Sequence, residues 1–315
     1  MQTATNPIRS LRQQATRLEA AITVSLASPT RKAVHELRSE TRRIEAQLDL
    51  LRMMRGLPPY RAAAEKLERR LRKLRRLAGK VRDCDVQRKL LKKTGELDSQ
   101  NEARSESQNE LQKDKDKLRK ILRRRRRRAE SRLLHSLERQ RTKLARDLEA
   151  VLEAVKAHED TAVEADHLLK PIERRIARSS GIQGFHQADE KTLHNLRKAA
   201  KHARYQCEAI PGERAAALAS QLEEMQDAGG EWHDLLMLAE HGAKELGADH
   251  PLSRVLERSR DERLNVYLEK LEGFRRTHRA EARAPANVPR KGVQADRTGA
   301  ARKMGKMGKI GKMAA

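Results

Sequence analysis

Hydrophobic residues recur along most of the chain with the spacing of amphipathic α-helices. Near the start, Ile8, Leu11, Ala15, Leu18 and Ile22 follow one another at intervals of three or four residues, which puts them on one helix face. The alternation of β-branched and polar residues that is typical of strands is nearly absent. The pattern therefore predicts an all-α fold.

Breaks in this pattern divide the chain into helices and connections. Ser28-Pro29-Thr30 ends the first helix, and Thr30 is a suitable N-cap for the second. Polar stretches at 94–110 and 179–187 are predicted to be loops. After the first helix, the predicted helices cover 31–54, 60 to the low 90s, 111–155, 161–178, 189–209, 213–228, 230–246 and 251–278.

Two sequence elements occur twice and in the same order. VHELRSETRRIEAQL (34–48) is matched by LHNLRKAAKHARY (193–205), and AGKVRDCD (78–85) is matched by GGEWHDLL (229–236). Because both elements repeat in register, the sequence predicts two duplicated halves, each an antiparallel helical bundle.

These boundaries predict a single helical domain over residues 1–280. Its first half is expected at about 8–157 and its second half at about 161–278. From about residue 281 the chain is basic, rich in glycine and poor in core residues, and it ends in KMGKMGKIGKMAA. We therefore expect 281–315 to be a disordered basic tail.

The first repeated element carries cations beside an apolar stripe. At about 100° per residue, one face of each copy is apolar and is predicted to face the core. This stripe contains Val34, Leu37, Thr41, Ile44 and Leu48 in the first copy and Leu193, Leu196, Ala200, Ala203 and Cys207 in the second. The neighbouring arc holds His35, Arg38 and Arg42 in the first copy and His194, Arg197 and Lys201 in the second, with Lys198 at its edge. Their stems should pack while their charged ends point into a shared groove.

The charge of the whole chain indicates an anionic partner. Lys and Arg number 70 against 45 Asp and Glu, which gives a formal net charge of +25. Nucleic acid, polyphosphate and an acidic membrane surface all fit such a charge. Aromatic residues make up only 2% of the chain, so the platforms that single-stranded nucleic-acid binders use for base stacking are scarce. Recognition of phosphate alone is unaffected by this scarcity.

Several classes of protein are not supported by the sequence. The start of the chain lacks a signal-peptide core, and no apolar run approaches the roughly 20 residues that span a bilayer. Cys84 and Cys207 make neither a disulfide framework nor a zinc site, which fits a reducing cytoplasm. Neither a P-loop nor an H-E-x-x-H motif is present, and the histidines lack metal-ligand spacing. We therefore expect a non-enzyme without cofactor or metal.

The repeated motifs resemble those of the conserved histidine α-helical domain (CHAD) family. That family's pattern is H-x-L-R with a basic cluster, then L-G-x-x-R-D or L-G-x-x-H-D, all duplicated. The first copy here has His35-Glu36-Leu37-Arg38 with Arg42-Arg43, then Gly79 with Arg82-Asp83; the second has His194-Asn195-Leu196-Arg197 with Lys201 and Arg204-Tyr205, then Gly230 with His233-Asp234. The resemblance covers about 30–278 and implies two helical half-domains around a basic cavity that binds inorganic polyphosphate, often on polyphosphate granules.

Together these patterns predict a polyphosphate site of clustered cations. Its residues are His35, Arg38, Arg42, Arg43, Arg82, His194, Arg197, Lys198, Lys201, Arg204 and His233. Arginine forks can hold two phosphate oxygens at once, and the histidines should gain charge beside phosphate, with tighter binding below about pH 6.5. Asp83 and Asp234 are expected to orient neighbouring cations, and Gly79 and Gly230 to allow close helix approach.

Two other functions remain open at this stage. A nucleoid-type DNA- or RNA-binding protein could use the Arg123–Arg128 run and the basic tail. A phosphotransfer or phosphohydrolase enzyme is the third class. Of the three we favour non-catalytic binding in the cytoplasm, on polyphosphate granules; the sequence does not reveal the oligomeric state. Tyr205 and Trp232 are interpreted as packing residues.

Overall fold

The computed structural model describes residues 4–94, 105–180 and 188–283. The predicted loop residues 95–104 and 181–187, and the tail from residue 284, lie outside these ranges. Eight α-helices account for most of the described chain, which confirms the predicted all-α fold. They are α1 (Pro7–Ala27), α2 (Arg31–Met53), α3 (Arg61–Lys93), α4 (Ser105–Val155), α5 (Ala165–Ser180), α6 (Glu190–Glu208), α7 (Glu213–Leu246) and α8 (Pro251–Arg283). None of these helices combines the length and the apolar character needed to cross a membrane.

A two-stranded antiparallel sheet, which the sequence pattern does not predict, joins the start of the described chain to the connection between the halves. Strand β1 (Ala4–Thr5) pairs with β2 (Val163–Glu164). Two-residue strands are too short to show alternation, so the pattern cannot reveal them. The helix predicted from residue 161 accordingly begins after β2, at Ala165.

Helix α7 runs without interruption through Gly229 and Gly230, so the predicted break between 213–228 and 230–246 is wrong. Glycine inside a helix costs about 1 kcal/mol relative to alanine but does not end it. At Gly229 a side chain would collide with a neighbour, because a Cβ atom there would lie 2.7 Å from Cε2 of Tyr267. Close packing therefore explains this glycine.

Helix α4 also begins at Ser105 instead of 111, and α8 extends to Arg283 instead of 278.

Each half has its own hydrophobic core. The core of the first half is built from α1 to α4, and that of the second half from α5 to α8 with Leu50 of α2. All ten residues of the two predicted apolar stripes are buried, which confirms the helical periodicity used to place them. The cations beside those stripes therefore lie at the edge of a packed core.

Corresponding helices of the two halves contact each other. Helix α2 packs on α6, α3 on α7, and α4 on α8. A third cluster of buried residues seals this interface near one end, and it draws Leu91, Leu118, Leu122, Leu238 and Leu252 from α3, α4, α7 and α8. The repeated sequence elements therefore meet between the halves.

Candidate functional site

Helices α2 and α6 begin with equivalent N-caps. The Thr30 hydroxyl accepts a hydrogen bond from the Ala33 amide at 3.2 Å, and the Asp189 carboxylate accepts one from the Thr192 amide at 2.7 Å. His35 and His194 each follow five residues after these caps. The caps thus start both helices in the same register, and equivalent turns carry the predicted cations.

The guanidinium of Arg38 lies against the backbone of α3 at Gly79. A Cβ atom on Gly79 would lie 2.5 Å from Nη1 of Arg38, so only glycine leaves room for this side chain. The same Nη1 donates a hydrogen bond to the Arg75 carbonyl at 3.4 Å. The predicted close approach at Gly79 is therefore present, and its purpose is to admit an arginine.

Arg197 occupies the corresponding position in the second half, where it packs at Gly229. Its Cγ would be 3.2 Å from a Cβ atom on Gly229, whereas nothing lies within 4 Å of one on Gly230. The predicted close approach at Gly230 is thus wrong by one residue. Tyr267 fills the space beside Arg197, and its hydroxyl donates to the Leu193 carbonyl at 3.1 Å.

An ion pair across the two halves holds Arg82. Its Nη2 donates to Oδ2 of Asp234 at 2.8 Å, its Nη1 donates to Oδ1 of the same carboxylate, and that Nη1 also lies 3.5 Å from Asp83. Burial opposes the charge of Arg82, but these bonds to Asp234 dominate and raise its pKa. Arg82 is therefore a fixed cation, oriented by the carboxylate that the sequence predicted for this role.

Four cations at this interface have no carboxylate within ion-pair distance in the described part of the chain: Arg38 and Arg42 of α2, and Arg197 and Lys201 of α6. Burial lowers the pKa of Arg38 to about 10, of Arg42 to about 9 and of Lys201 to about 7, and neighbouring arginines lower all three further. Burial likewise lowers the pKa of Arg197. We call this set the unpaired cations. Both desolvation and mutual repulsion disfavour their charge, and a bound anion would relieve the repulsion.

The three predicted histidines border the unpaired cations. The rings of His194 and His233 stack with centroids 4.5 Å apart. Burial and the nearby Arg197 lower the pKa of both to about 4, and burial with Lys201 and Arg82 lowers the pKa of His35. Without a ligand, burial and the surrounding cations therefore disfavour a charge on all three histidines, whereas the gain of charge beside phosphate, with tighter binding below about pH 6.5, stays a prediction.

Two predicted site residues, Arg43 and Arg204, have acidic partners and so do not belong to the unpaired cations. Their guanidinium groups lie over the ring of buried Tyr205, at 5.5 and 5.1 Å from its centroid. Arg43 bonds to Glu40 and lies 3.7 Å from Glu208. Arg204 lies 2.8 Å from Glu208 and 2.6 Å from Glu223. Acidic partners therefore already neutralise both groups. Lys198 is exposed at the edge of the site and helps to lower the pKa of His194.

Arg75 of α3 lies beside the unpaired cations but is not among the predicted site residues. Its guanidinium bonds to Glu45 of α2, and its positive charge helps to lower the pKa of Arg38 and of Arg42. The missed signal was spacing, since Arg75, Gly79 and Arg82 succeed one another at intervals of four and three residues and so share one face of α3.

The Arg123–Arg128 run divides into paired and exposed residues. Arg125 bonds to Glu245 at 2.6 Å, and Arg126 bonds to Asp85 at 2.8 Å. The other four arginines of the run are exposed. Two arginines of the run therefore have structural partners, and the other four remain available to solvent.

A known protein family matches most of the chain. The model of the CHAD domain matches residues 9–243, which include both repeated elements. The chain belongs to the CHAD domain family. The resemblance of the sequence to this family is therefore confirmed.

Solved structures show the same fold at low sequence identity. The crystal structure of the CHAD domain from the plant Ricinus communis matches with a TM-score of 0.59 and 18% identity, covering 89% of this chain and 94% of that one. PptA from Streptomyces chartreusis matches with a TM-score of 0.59 and 17% identity, covering 88% of this chain and 100% of its own. Among curated proteins, none matches the chain.

Proposed function

We propose that this CHAD protein binds inorganic polyphosphate, without turning it over, at the interface between its two halves. The observation that carries the proposal is the set of unpaired cations. Arg38, Arg42, Arg197 and Lys201 come from both halves, are largely withdrawn from water and have no carboxylate partner in the described ranges. Asp83 and Asp234 offset only part of this charge, so the group favours an anion that brings several charges at once.

A linear phosphate chain suits these residues because each can act on bare phosphoryl oxygens. The guanidinium groups of Arg38 and Arg197 can each hold two oxygens, while Lys201 serves as a point charge. Arg82 is already oriented by Asp234, so it adds positive potential without a change of position. His35, His194 and His233 can donate hydrogen bonds in their neutral form.

The aromatic residues favour polyphosphate over single-stranded nucleic acid as the ligand. A base-reading surface needs exposed rings on which bases can stack. Five of the six aromatic residues are described by the structure, and all five are buried: Tyr60, Tyr205, Trp232, Tyr267 and Phe274. Phe185 lies outside the described residues. A site that recognises phosphate without bases is the simpler match to these observations, and we further propose that the protein associates with polyphosphate granules.

Charge reversal at the unpaired cations tests the proposal. We expect Arg38→Glu combined with Arg197→Glu to weaken polyphosphate binding at least about a hundredfold, because loss of one partner of a buried charge contact costs roughly 2–5 kcal/mol. The matched control reverses two tail lysines, Lys306→Glu with Lys309→Glu, and should weaken binding far less. Fluorescence anisotropy with labelled polyphosphate measures both. Equal losses in the two variants would point to nonspecific attraction and contradict the proposal.

Competition separates polyphosphate from nucleic acid. Both ligands should bind more weakly as salt increases, so salt dependence alone does not distinguish them. Polyphosphate should displace DNA of equal total charge at low concentration, whereas the reverse displacement should be poor. The opposite ranking would favour the nucleic-acid function. Release of phosphate from polyphosphate by the pure protein, abolished by His35→Ala, would instead establish an enzyme.

A further inference from the structure

A second basic surface lies in a groove between α3 and α4 of the first half. The groove has a volume of about 550 Å³. Its walls carry Lys66, Arg69, Arg70 and Lys73 from α3 and His135, Arg139 and Lys143 from α4. Cations therefore line it from both sides over about two helical turns.

This groove is separate from the unpaired cations. At about 100° per residue, Lys66, Arg70 and Lys73 lie on one face of α3, and Arg75 and Arg82 lie on roughly the opposite face. A helix with its side chains is about 10–12 Å across. One phosphate group therefore cannot contact both basic faces of α3.

Most of the charge in the groove is uncompensated. Asp147 of α4 bonds to Arg70 of the groove and lies 3.4 Å from Lys66. Arg69, Lys73, Arg139 and Lys143 are exposed and have no ion-pair partner among the described residues. The carboxylate thus fixes one end, and the remaining cations are available to an external anion.

The shape and chemistry of the groove favour a thin ligand without bases. Packed helices are about 8–10 Å apart between axes, so a groove between two of them is too narrow for a nucleic-acid duplex. Its described lining includes Leu77 and Ser136 but no Phe, Tyr or Trp on which a base could stack. Successive cations about one helical turn apart match a repeating anion instead.

The basic lining is particular to the first half. In the duplicated sequence, the positions that align with Lys66, Arg69, Arg70 and Lys73 are Ala217, Ser220, Gln221 and Glu224 of α7. The core of a four-helix bundle therefore does not require these cations, since the second half packs its helices without them.

We propose that the α3–α4 groove is a second polyphosphate site, so that one molecule holds two phosphate chains on opposite faces of α3. This inference rests on the proposed function, because it takes the ligand class of the central site as its own. Two sites facing different directions allow one protein to bridge two chains.

The number of bound chains tests this inference. Isothermal titration calorimetry should use polyphosphate too short to extend around α3, and the wild-type protein should bind two chains. The triple variant R69E/K73E/R139E should bind one chain, with groove affinity reduced more than tenfold. R38E/R197E should also bind one chain, held in the groove with an affinity at least about a hundredfold below that of the central site in the wild type, in agreement with the loss expected above. The control R174E/K244E/R258E makes the same charge change at exposed positions of the second half and should still bind two.

The outcomes separate this inference from the proposed function. The groove site is overturned if the wild type binds one chain, R69E/K73E/R139E still binds it and R38E/R197E binds none. This result would leave the central site intact. No binding by the wild type overturns both. If the groove variant keeps two chains and loses affinity for single-stranded DNA, the groove is a nucleic-acid surface and the inference is wrong. The neutral variant R69Q/K73Q/R139Q should reproduce the loss, which excludes an effect of the introduced carboxylates on folding.

Discussion

Helices α3 and α7 occupy the same place in the two halves but carry opposite charge. Both bury an aliphatic stripe, with Leu67 and Leu71 in α3 matched by Leu218 and Leu222 in α7. Helix α3 has fourteen Arg and Lys against four Asp and Glu. Helix α7 has two against eight. Duplication has therefore kept the core, which packing constrains, while the charge of the surface has diverged.

This contrast shows how one protein can concentrate cations without losing its fold. The two helices pack against each other, and the bond from Arg82 to Asp234 joins the basic helix to the acidic one. Helix α7 thus supplies part of the negative charge that offsets α3. The bridging carboxylate is shared between the halves, whereas the unpaired cations are left to a ligand.

Removal of the bridging carboxylate is expected to have the largest effect on stability. Asp234→Asn leaves Arg82 without its charged partner and should lower the free energy of unfolding by roughly 2–3 kcal/mol. This loss is smaller than the roughly 3–5 kcal/mol expected for breaking a fully buried ion pair, because the Arg82 side chain is 27% exposed. Urea unfolding measures this change. The same variant should bind polyphosphate more tightly, since the site loses a negative charge. The control Glu240→Gln changes an exposed carboxylate on α7 and should alter neither quantity. Weaker binding by D234N would contradict the prediction and show that the orientation of Arg82 by Asp234 matters more for binding than the negative charge.

Alanine substitutions at the three interface glycines Gly79, Gly229 and Gly230 should have different effects. Gly229→Ala forces a Cβ atom towards the ring of Tyr267 and should cost about 1–2 kcal/mol of stability. Gly79→Ala meets the end of the flexible Arg38 side chain, so it should move that guanidinium and weaken polyphosphate binding with little loss of stability. Thermal unfolding and anisotropy measure the two effects. Gly230→Ala has open space and a better helix former, so it should be neutral or stabilising; equal destabilisation by all three would remove the packing explanation.

The pH dependence should come from Lys201 and is the smallest expected effect. Its pKa is lowered from 10.5 to about 7, so between these values the unfolded chain holds a proton that the folded protein lacks. Stability without ligand should therefore rise with pH through this window. A bound anion raises the pKa again, so binding takes up a proton and polyphosphate affinity should fall from pH 7 to pH 8, by at most about tenfold.

Lys201→Arg should flatten this profile because arginine keeps its charge in that range. Arg42, with a pKa lowered to about 9, would contribute only above it, and His194 and His233 are already neutral. Calorimetry in buffers of different ionisation enthalpy counts the protons taken up. An unchanged slope in the Lys201→Arg variant would assign the pH dependence to another group.

The sequence alone predicted the helices and much of the site because both depend on local spacing. Apolar periodicity located the buried stripes of α2 and α6, and the duplication predicted that Arg38 and Arg197 would be equivalent. Pairing between distant residues was not accessible in this way. The ion pair of Arg204 with Glu208 spans four residues of α6 and could be predicted from spacing, whereas its ion pair with Glu223 forms only because α6 packs against α7.

Tertiary contacts also explain why two other features of the structure were not predicted from the sequence. The glycine at position 229 is explained by close packing against Tyr267, a residue of α8 that no local rule connects with it. The α3–α4 groove was equally invisible, since Lys73 and Arg139 become neighbours only when the two helices align. The charge of α3 and its division between two opposite faces follow from the sequence at about 100° per residue, but the α4 residues that complete the groove follow only from the packing of the two helices.

The length of α4 bears on how the protein meets its ligand. Its 51 residues extend about 76 Å, and while Leu133 and Leu148 pack in the first half, Leu118 and Leu122 pack with residues of the second. The continuous helix α4 thus contacts both halves, and we expect it to resist a hinge motion between them. Polyphosphate should then bind without domain closure, so the small-angle scattering profile of the protein should be almost unchanged when it is saturated with polyphosphate. The association rate should be set chiefly by electrostatic steering.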